Sequence, residues 1–513
     1  MMTFMPFRKT LMAAAGAATL AMLAGGCAPA VTTAFTENAP APVKAARKPN
    51  VVLIIADDLN VQLGTYGAPV ISPNIDRLAR EGVRFDRAYT QWPVCGASRA
   101  SFLTGRRPDT IGREVIYERF RCSIPDAVTL PQHFRQNGYF SARIGKAYHQ
   151  GVPSDIGRDG DDDGGSWDVA INPVGLDKAV EGDVINMTPG LGLGRANAWL
   201  APDAADEEFT DGKVASEAIR LMNENRDRPF FLTVGFYRPH VPEIAPKHWL
   251  DRYPAGQVAL AEETAETLAA VLPIATNSDV MNLGMTETQQ RQMIAAYRAA
   301  VSHMDTQVGR VLAELDRLGL ADDTIVMFIG DHGFMLGEHG QWQKTMLYEE
   351  AVQVPMIVRA PGIAGGNAVA RTVEMLDIYP TLAALAGLPA RGELEGVSLV
   401  PLLKKPDIQW DRPAFSQIWG GRSVRTERWR YTEWEQGRSG AELYDHDNDP
   451  REQHNLAEDP AYAAVVAKLK AMFPAQAFEA RGTKTLLDPQ TPKKRQGSRP
   501  AIEGCEGLER LIG

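Results

Sequence analysis

The sequence predicts an α/β fold: a large, mostly parallel or mixed β-sheet sandwiched between helices, with a smaller C-terminal subdomain built on an antiparallel sheet. Three observations predict it. Between Asn50 and Val358, runs of consecutive apolar, largely β-branched residues recur, the pattern of strands buried on both faces. Helical stretches separate those runs, and that alternation yields a helix-covered sheet. After about residue 390 the texture changes to short alternating pieces between turn residues, the mark of antiparallel strands.

Taken in order, Val51-Val52-Leu53-Ile54-Ile55 is the first buried strand. A helix follows around Ile75 to Glu81, with Ser72-Pro73 at its start, because proline suits a first helical position. Cys95 to Leu103 is a further helix, and Leu130 to Asn137 another, closed by Gly138. Phe230 to Val234 is the second buried strand. A long amphipathic helix runs from about Thr286 to Leu318. Thr324 to Ile329 and Val354 to Val358 are the third and fourth strands. Ser423 to Thr426, Trp429 to Trp434 and Glu442 to Asp445 are the later antiparallel pieces. The body therefore spans 49–390, the C-terminal subdomain 391–487 and a polar tail 488–513.

The chain has 513 residues, of which 44% are hydrophobic, enough for a large core and more than one domain. A net charge of -10 favours solubility and argues against a nucleic-acid partner, since phosphate binding wants excess Lys and Arg. At the N-terminus, Arg8 and Lys9 precede an apolar run from Leu11 to Leu23, then Ala24-Gly25-Gly26-Cys27. This reads as an export signal over 1–27 of lipoprotein type, too short for a comfortable membrane span. An acylated Cys27 would tether the protein to a membrane in the periplasm or cell envelope; cleavage and release is the alternative. Residues 28–48, rich in Ala, Pro and Thr, read as a flexible linker. The 4 cysteines make no disulfide framework. Cys122 and Cys505 either pair in an oxidising compartment or remain thiols.

Two acidic pairs stand at strand ends. Asp57-Asp58 close the first strand, and Gly330-Asp331-His332-Gly333 close the third. In open α/β sheets ligands bind at the carboxyl edge. Adjacent carboxylates repel unless a cation neutralises them, and oxygen-dominated ligation suits a hard ion such as calcium. Asp57, Asp58, Asp331 and His332 are thus candidate ligands of one ion. Cys95 sits at a helix start, where free N–H groups and the dipole favour anions. Arg99 follows one turn later on the same side, a residue suited to clamping a tetrahedral oxyanion.

The run Cys95-Gly96-Ala97-Ser98-Arg99, continuing to Thr104-Gly105-Arg106, resembles the sulfatase signature Cys-x-(Pro or Ala)-Ser-Arg followed by Thr-Gly-Arg. Further matching segments are Ser72 to Asp76, Gly145 to His149, Arg238 to Pro242, Leu336 to Lys344 and Glu442 to Tyr444. The resemblance covers about Asn50 to Leu456 and is nearest the iduronate-2-sulfatase branch of the formylglycine-dependent family. It implies an alkaline-phosphatase-like fold and hydrolysis of a sulfate ester on a carbohydrate or other small molecule. It also implies Cys95 oxidised to formylglycine by a maturation enzyme, and one Ca²⁺ held by Asp57, Asp58, Cys95, Asp331 and His332. Arg99 would brace the hydrated aldehyde, and Lys146 would bind a sulfate oxygen. His149, one turn from Lys146 if that segment is helical, would take the diol proton. His240 and Lys344 would hold the bridging oxygen and protonate the leaving alcohol.

Glu338 and His339 read as supports near the site. The loop Asp159-Gly160-Asp161-Asp162-Asp163-Gly164 starts like a calcium-binding loop, but its twelfth position is Ala170 rather than Glu. It reads as a solvated acidic loop at the pocket rim. Two rivals to a sulfatase are a phosphodiesterase or phosphonate monoester hydrolase of the same superfamily, and a non-catalytic glycan-binding lipoprotein.

Overall fold

The first expected strand forms as Asn50–Ala56, with all 7 of its residues buried. It lies within an eight-stranded sheet of a computed structural model that describes residues 48–112 and 120–474. The strands are β1 (Asn50–Ala56), β2 (Val83–Tyr89), β3 (Phe140–Gly145), β4 (Val169–Ile171), β5 (Phe230–Phe236), β6 (Thr324–Gly330), β7 (Gln353–Arg359) and β8 (Asn367–Glu374). Their order across the sheet is β8-β2-β7-β6-β1-β5-β3-β4. Only β7 runs against its neighbours; every other pairing is parallel.

The main helices are α1 (Pro73–Glu81), α2 (Cys95–Thr104), α3 (Leu130–Gln136), α4 (Thr210–Asn225), α5 (Glu287–Arg317) and α6 (Ile378–Leu385). Val51, Leu53 and Ile55 pack into one apolar layer with residues of α2, α3 and α6. Val52, Ile54 and Ala56 pack into the other with residues of α1, α4 and α5. Neither face of β1 meets water, which is why its sequence shows no polar alternation. The two helices α1 and α5 are joined at a cap. The Ser72 side chain caps no backbone N–H of α1 and bonds Asp76 Oδ1 at 3.1 Å. Instead Asp305, on α5, accepts the N–H groups of Asn74 at 3.2 Å and Ile75 at 2.8 Å, satisfying donors that a helix start leaves open.

Four sheet strands escaped the sequence pattern, among them β4, only 3 residues long and with none of them buried. β2 carries Arg84, Asp86 and Arg87, and β3 carries Ser141 and Arg143, so neither reads as an apolar run. β8 alternates around exposed Asn367, Ala368 and Ala370. β7 contains Pro355 in mid-sheet, where a proline would remove a ladder bond; a register shift between Val354 and Met356 accommodates it.

A four-stranded antiparallel sheet follows, in the order β9 (Ala414–Ile418), β10 (Gly421–Arg425), β11 (Trp429–Trp434) and β12 (Ala441–Asp445). Helix α7 (Ala463–Lys470) packs Leu469 onto Val424, Tyr431 and Leu443. The sheet is stitched to the chain after β2: Gln417 N donates to Gln91 O at 2.9 Å, and Ser416 Oγ to Thr90 O at 2.6 Å. The export signal, Cys27, the linker up to residue 47, Cys505 and the tail lie outside the described residues. Cys122 is disulfide-bonded. No helix among the described residues is long and apolar enough to cross a membrane.

One close approach sets the C-terminal ends of β3 and β5. Lys146 N donates to Gly235 O at 3.0 Å. A Cβ on Gly235 would meet the Lys146 carbonyl oxygen at 1.9 Å, backbone against backbone. Gly235→Ala should therefore force these two strand ends apart and lower stability by about 1–3 kcal/mol. Urea unfolding reads this directly, and an unchanged midpoint would show that the approach is dispensable.

Candidate active site

Parallel pairing of β1 with β6 places Ala56 opposite Gly330. The residues that follow each strand therefore emerge side by side at the carboxyl edge. Asp57, Asp58, Asp331 and His332 are all 0% exposed. Asp331 N donates to Ala56 O at 3.1 Å, and Asp331 Oδ1 accepts the N–H groups of Asp58 and His332, each at 3.0 Å. Asp58 itself adopts φ of 62°, a left-handed conformation that Asp visits more readily than most residues.

Three cations enter among these carboxylates. Arg99, fully buried on α2, donates Nε to Asp331 Oδ2 at 2.8 Å and Nη2 to Asp57 Oδ1 at 3.2 Å. Its Nη1 donates to the carbonyls of Lys146 and Ala147 at 2.6 and 3.2 Å. Lys146 Nζ donates to Asp57 Oδ2 at 2.6 Å, and Lys344 Nζ to Asp58 Oδ1 at 2.6 Å. Burial alone would raise the Asp57 carboxyl; Lys146, Arg99 and Lys344 outweigh it and hold the group well below the usual carboxylate range.

Cys95 lies 3% exposed at the first position of α2, all 10 of whose residues are buried. Its Sγ is 3.1 Å from Lys344 Nζ, 3.3 Å from His332 Nε2 and 3.7 Å from Asp58 Oδ1. Ser98 holds this helix to the strand edge, donating Oγ to the Asp331 carbonyl. Burial pushes the Cys95 thiol above its ordinary range, against the pull of Lys146 and Lys344.

The donor set fits a hard divalent cation. The carbonyl of Gly333, 2.8 Å from His332 Nδ1, can only accept, so Nδ1 carries a proton and Nε2 offers a lone pair. That Nε2 faces Asp58 Oδ1 at 3.3 Å and Asp331 Oδ2 at 3.8 Å. Asp58 Oδ2 is buried with no hydrogen-bond partner, an orphaned acceptor that a cation would satisfy. Ligand atoms of Asp57, Asp58, Cys95 and His240 lie within 4.8 Å of one another, as do those of Cys95, Asp331 and His332. Three of these donors are carboxylates, the ligand type that calcium prefers.

The two remaining histidines are placed by their neighbours. His240 Nε2 is 3.6 Å from Asp58 Oδ2, and its Nδ1 donates to Val241 O at 2.5 Å. Arg238 fixes that turn through His240 O at 2.8 Å and Pro242 O at 2.5 Å, and is itself held by Asp177 at 2.8 Å. Burial, opposed by Asp58, holds the His240 imidazole well below its ordinary range. The segment from Lys146 to His149 is not helical; His149 instead forms an antiparallel bridge with Asp161. Its ring lies over Gly96, where a Cβ would come within 3.4 Å. Burial, with Lys146 next, lowers the His149 imidazole to about 4, so the ring is neutral near pH 7.

Cys95, His149, His240 and Lys344 line a cleft of about 630 Å³. Lys146 is fully buried and does not line it. The walls come from Gly151 to Ser154, Glu181, Leu191 to Arg195, Asn277, Ser278, Leu283, Trp342, Thr345 and Trp419. Apart from Trp342, which lies in the matching segment Leu336 to Lys344, no motif marked these residues, because a wall is set by loop shape and not by reacting groups. The acidic loop corrects the sequence reading. Asp159 and Asp162 bind Arg143 at 3.1 and 2.6 Å, and Asp163 binds Arg121 at 2.5 Å. Asp162 and Asp163 are largely buried and pinned by ion pairs, Asp159 stays 73% exposed beside Arg143, and none of the loop's residues lines the cleft. Glu338 and His339 take supporting places: Glu338 Oε2 accepts Leu336 N at 2.6 Å, and His339 stacks on Tyr348 at 3.9 Å.

Residues 49–388 match the sulfatase family profile, and residues 337–477 match the N-sulphoglucosamine sulphohydrolase C-terminal profile. A protein named sulfatase from Formosa agariphila is 33% identical, with 83% of this chain and 86% of that protein covered. The iduronate 2-sulfatase of Mus musculus is 32% identical, with 82% and 93% covered. The solved phosphonate monoester hydrolase of Agrobacterium radiobacter superposes with a TM-score of 0.66 at 26% identity, covering 82% of this chain and 94% of its own. With a family profile that matches most of the chain and relatives 32% and 33% identical over more than four fifths of it, the chain belongs to the sulfatase family of sulfuric ester hydrolases.

Proposed function

We propose that the protein hydrolyses a sulfate ester on a carbohydrate, releasing inorganic sulfate. One observation carries this reading: Cys95 Sγ stands where Lys344, His332 and Asp58 meet at the floor of the cleft. A uronate 2-O-sulfate is the substrate class that likeness to an iduronate 2-sulfatase supports. Cys95 would be matured to formylglycine by a dedicated enzyme, because the buried thiol itself is a poor nucleophile. Asp57, Asp58, Asp331, His332 and the matured Cys95 would hold one calcium ion. When bound, that ion and the hydrated aldehyde would supply a polarised oxygen nucleophile.

The chain's own side chains do the rest. Lys344 places positive charge in the cleft where the sulfate oxygens would lie, and Lys146 adds to the field from beneath through Asp57, a preorganised electrostatic arrangement. His149, kept neutral, accepts a proton from the nucleophile. His240 Nε2 faces Asp58 from the cleft wall, but with Nδ1 donating to Val241 O in a neutral ring it offers a lone pair and no proton, so Lys344 is left to hold the bridging oxygen and protonate the departing alcohol. Arg99 does not touch the cleft; it keeps Asp57 and Asp331 ionised and in register. The N-terminal run around Cys27 supports export to the periplasm or cell envelope with a lipid anchor there.

The second reading, a phosphate or phosphonate ester hydrolase, is favoured by the likeness to the phosphonate monoester hydrolase. Parallel assays on aryl sulfate, phosphate diester and phosphonate monoester separate the two, and a preference for a phosphorus ester would overturn the proposal. In protein from its native host, the tryptic peptide Ala88 to Arg99 should carry an aldehyde in place of the Cys95 thiol. Mass spectrometry reads this, and Cys95→Ala should abolish turnover while leaving the fold intact.

Arg99 and Lys344 should separate by their failures. Arg99→Met strips two buried carboxylates and two carbonyls of their donor and should cost about 3–5 kcal/mol of stability. Lys344, whose side chain is 15% exposed, reaches the cleft; Lys344→Met should lose most activity and cost about 3 kcal/mol, less than Arg99→Met, because it frees one buried carboxylate where Arg99→Met frees two. Unfolding curves and steady-state rates on both variants check this. Equal destabilisation by the two would contradict the division of roles.

A further inference from the structure

We infer that Tyr297, on α5, is a positioning residue that locks Asp58 into the left-handed turn from which its carboxylate meets the cation site. The inference rests on the proposed cation site but goes beyond it, because it names a group remote from the cleft. Asp58 is the junction of the site: its carboxylate faces Lys344, His332, His240 and Cys95. Its backbone has φ of 62°, a conformation that a non-glycine residue keeps only when its surroundings impose it.

Two clamps impose it. On the amide side, Asp58 N donates to Asp331 Oδ1 at 3.0 Å. On the carbonyl side, Tyr297 Oη donates to Asp58 O at 2.9 Å and accepts Asn60 N at 3.1 Å. One phenol hydroxyl thus spans the turn from residue 58 to residue 60. The phenol is itself fixed. Tyr297 is 0% exposed, its ring stacks on Phe334 at 5.5 Å, and Asn60 Nδ2 donates to Phe334 O at 2.6 Å. Phe334 lies two residues past His332, so the same contact ties the second ligand pair to the first. Tyr297 does not line the cleft, so any effect it has on the site passes through the groups it holds, of which Asp58 is the one that faces the cation site.

The test uses Tyr297→Phe, which keeps the ring and its stack and removes only the hydroxyl. Tyr253→Phe is the control: Tyr253 Oη bonds Ser302 Oγ, also on α5, at 2.6 Å, but does not reach Asp58. Calcium is titrated into each metal-stripped full-length protein and read by thermal shift, and the crystal structure of Tyr297→Phe is determined. Tyr297→Phe should weaken calcium binding about tenfold, the worth of one hydrogen bond, and Asp58 should leave the left-handed region. Tyr253→Phe should lower the melting temperature while leaving calcium affinity within about twofold of wild type. Calcium affinity unchanged in Tyr297→Phe, or reduced alike in both variants, would overturn the proposal. If wild-type protein shows no response to calcium, the cation reading fails, and the Asp58 backbone in the variant's crystal structure still decides the role of Tyr297.

Discussion

The structure depends on compensating three carboxylates that are buried together at one edge of the sheet. Asp57, Asp58 and Asp331 are fully buried at the edge of a sheet whose strands are themselves buried. An isolated charge there is so unfavourable that the group would take a proton or the chain would not fold. Arg99, Lys146 and Lys344 match the three charges one for one, each within 3.2 Å of a carboxylate oxygen. Replacing such a cluster with apolar residues could well raise stability. Its presence is therefore better explained by the chemistry it permits than by the stability it confers.

The fold delivers this cluster by simple means. Parallel strands end on the same edge, and β1 and β6 are neighbours in register, so two acidic pairs far apart in the chain share one place. Helix α2 then brings Cys95 and Arg99 to that place along one face, Cys95 toward the cleft and Arg99 toward the carboxylates. The close approach of Lys146 to Gly235 adds the third strand end. Each cation arrives from a different element, so the site is complete only when the whole sheet has formed.

Much of this was legible in the sequence, for a physical reason. Strands buried on both faces write themselves as unbroken apolar runs, so β1, β5 and β6 could be read, and the acidic pairs fell at their ends. The long helix α5 was legible from its period and its Thr286 cap. Strands that carry buried ion pairs were not: Arg143 in β3 reads as a loop residue until Asp162 and Asn172 are seen to hold it. The same blindness explains the acidic loop, whose carboxylates look solvated until Arg121 and Arg143 appear beside them. Tyr297 was invisible as well, since one aromatic residue on a core face of a helix carries no mark of the hydroxyl's task.

The division between floor and wall has a consequence for how such a site can change. The floor is made of strand ends and one buried helix, where a shift of one residue would break several ion pairs at once. The wall is made of irregular segments, Leu191 to Arg195 and Asn277 to Leu283 among them, joined to the floor at few points. One such point is Gln343, next to Lys344, whose Nε2 donates to Arg195 O at 2.6 Å and Asn197 Oδ1 at 2.9 Å. Substitutions in the wall alter the shape and charge presented to a substrate and leave the compensated carboxylates untouched. Reaction class is thereby fixed by the core, while substrate choice rests on loops that the core does not constrain.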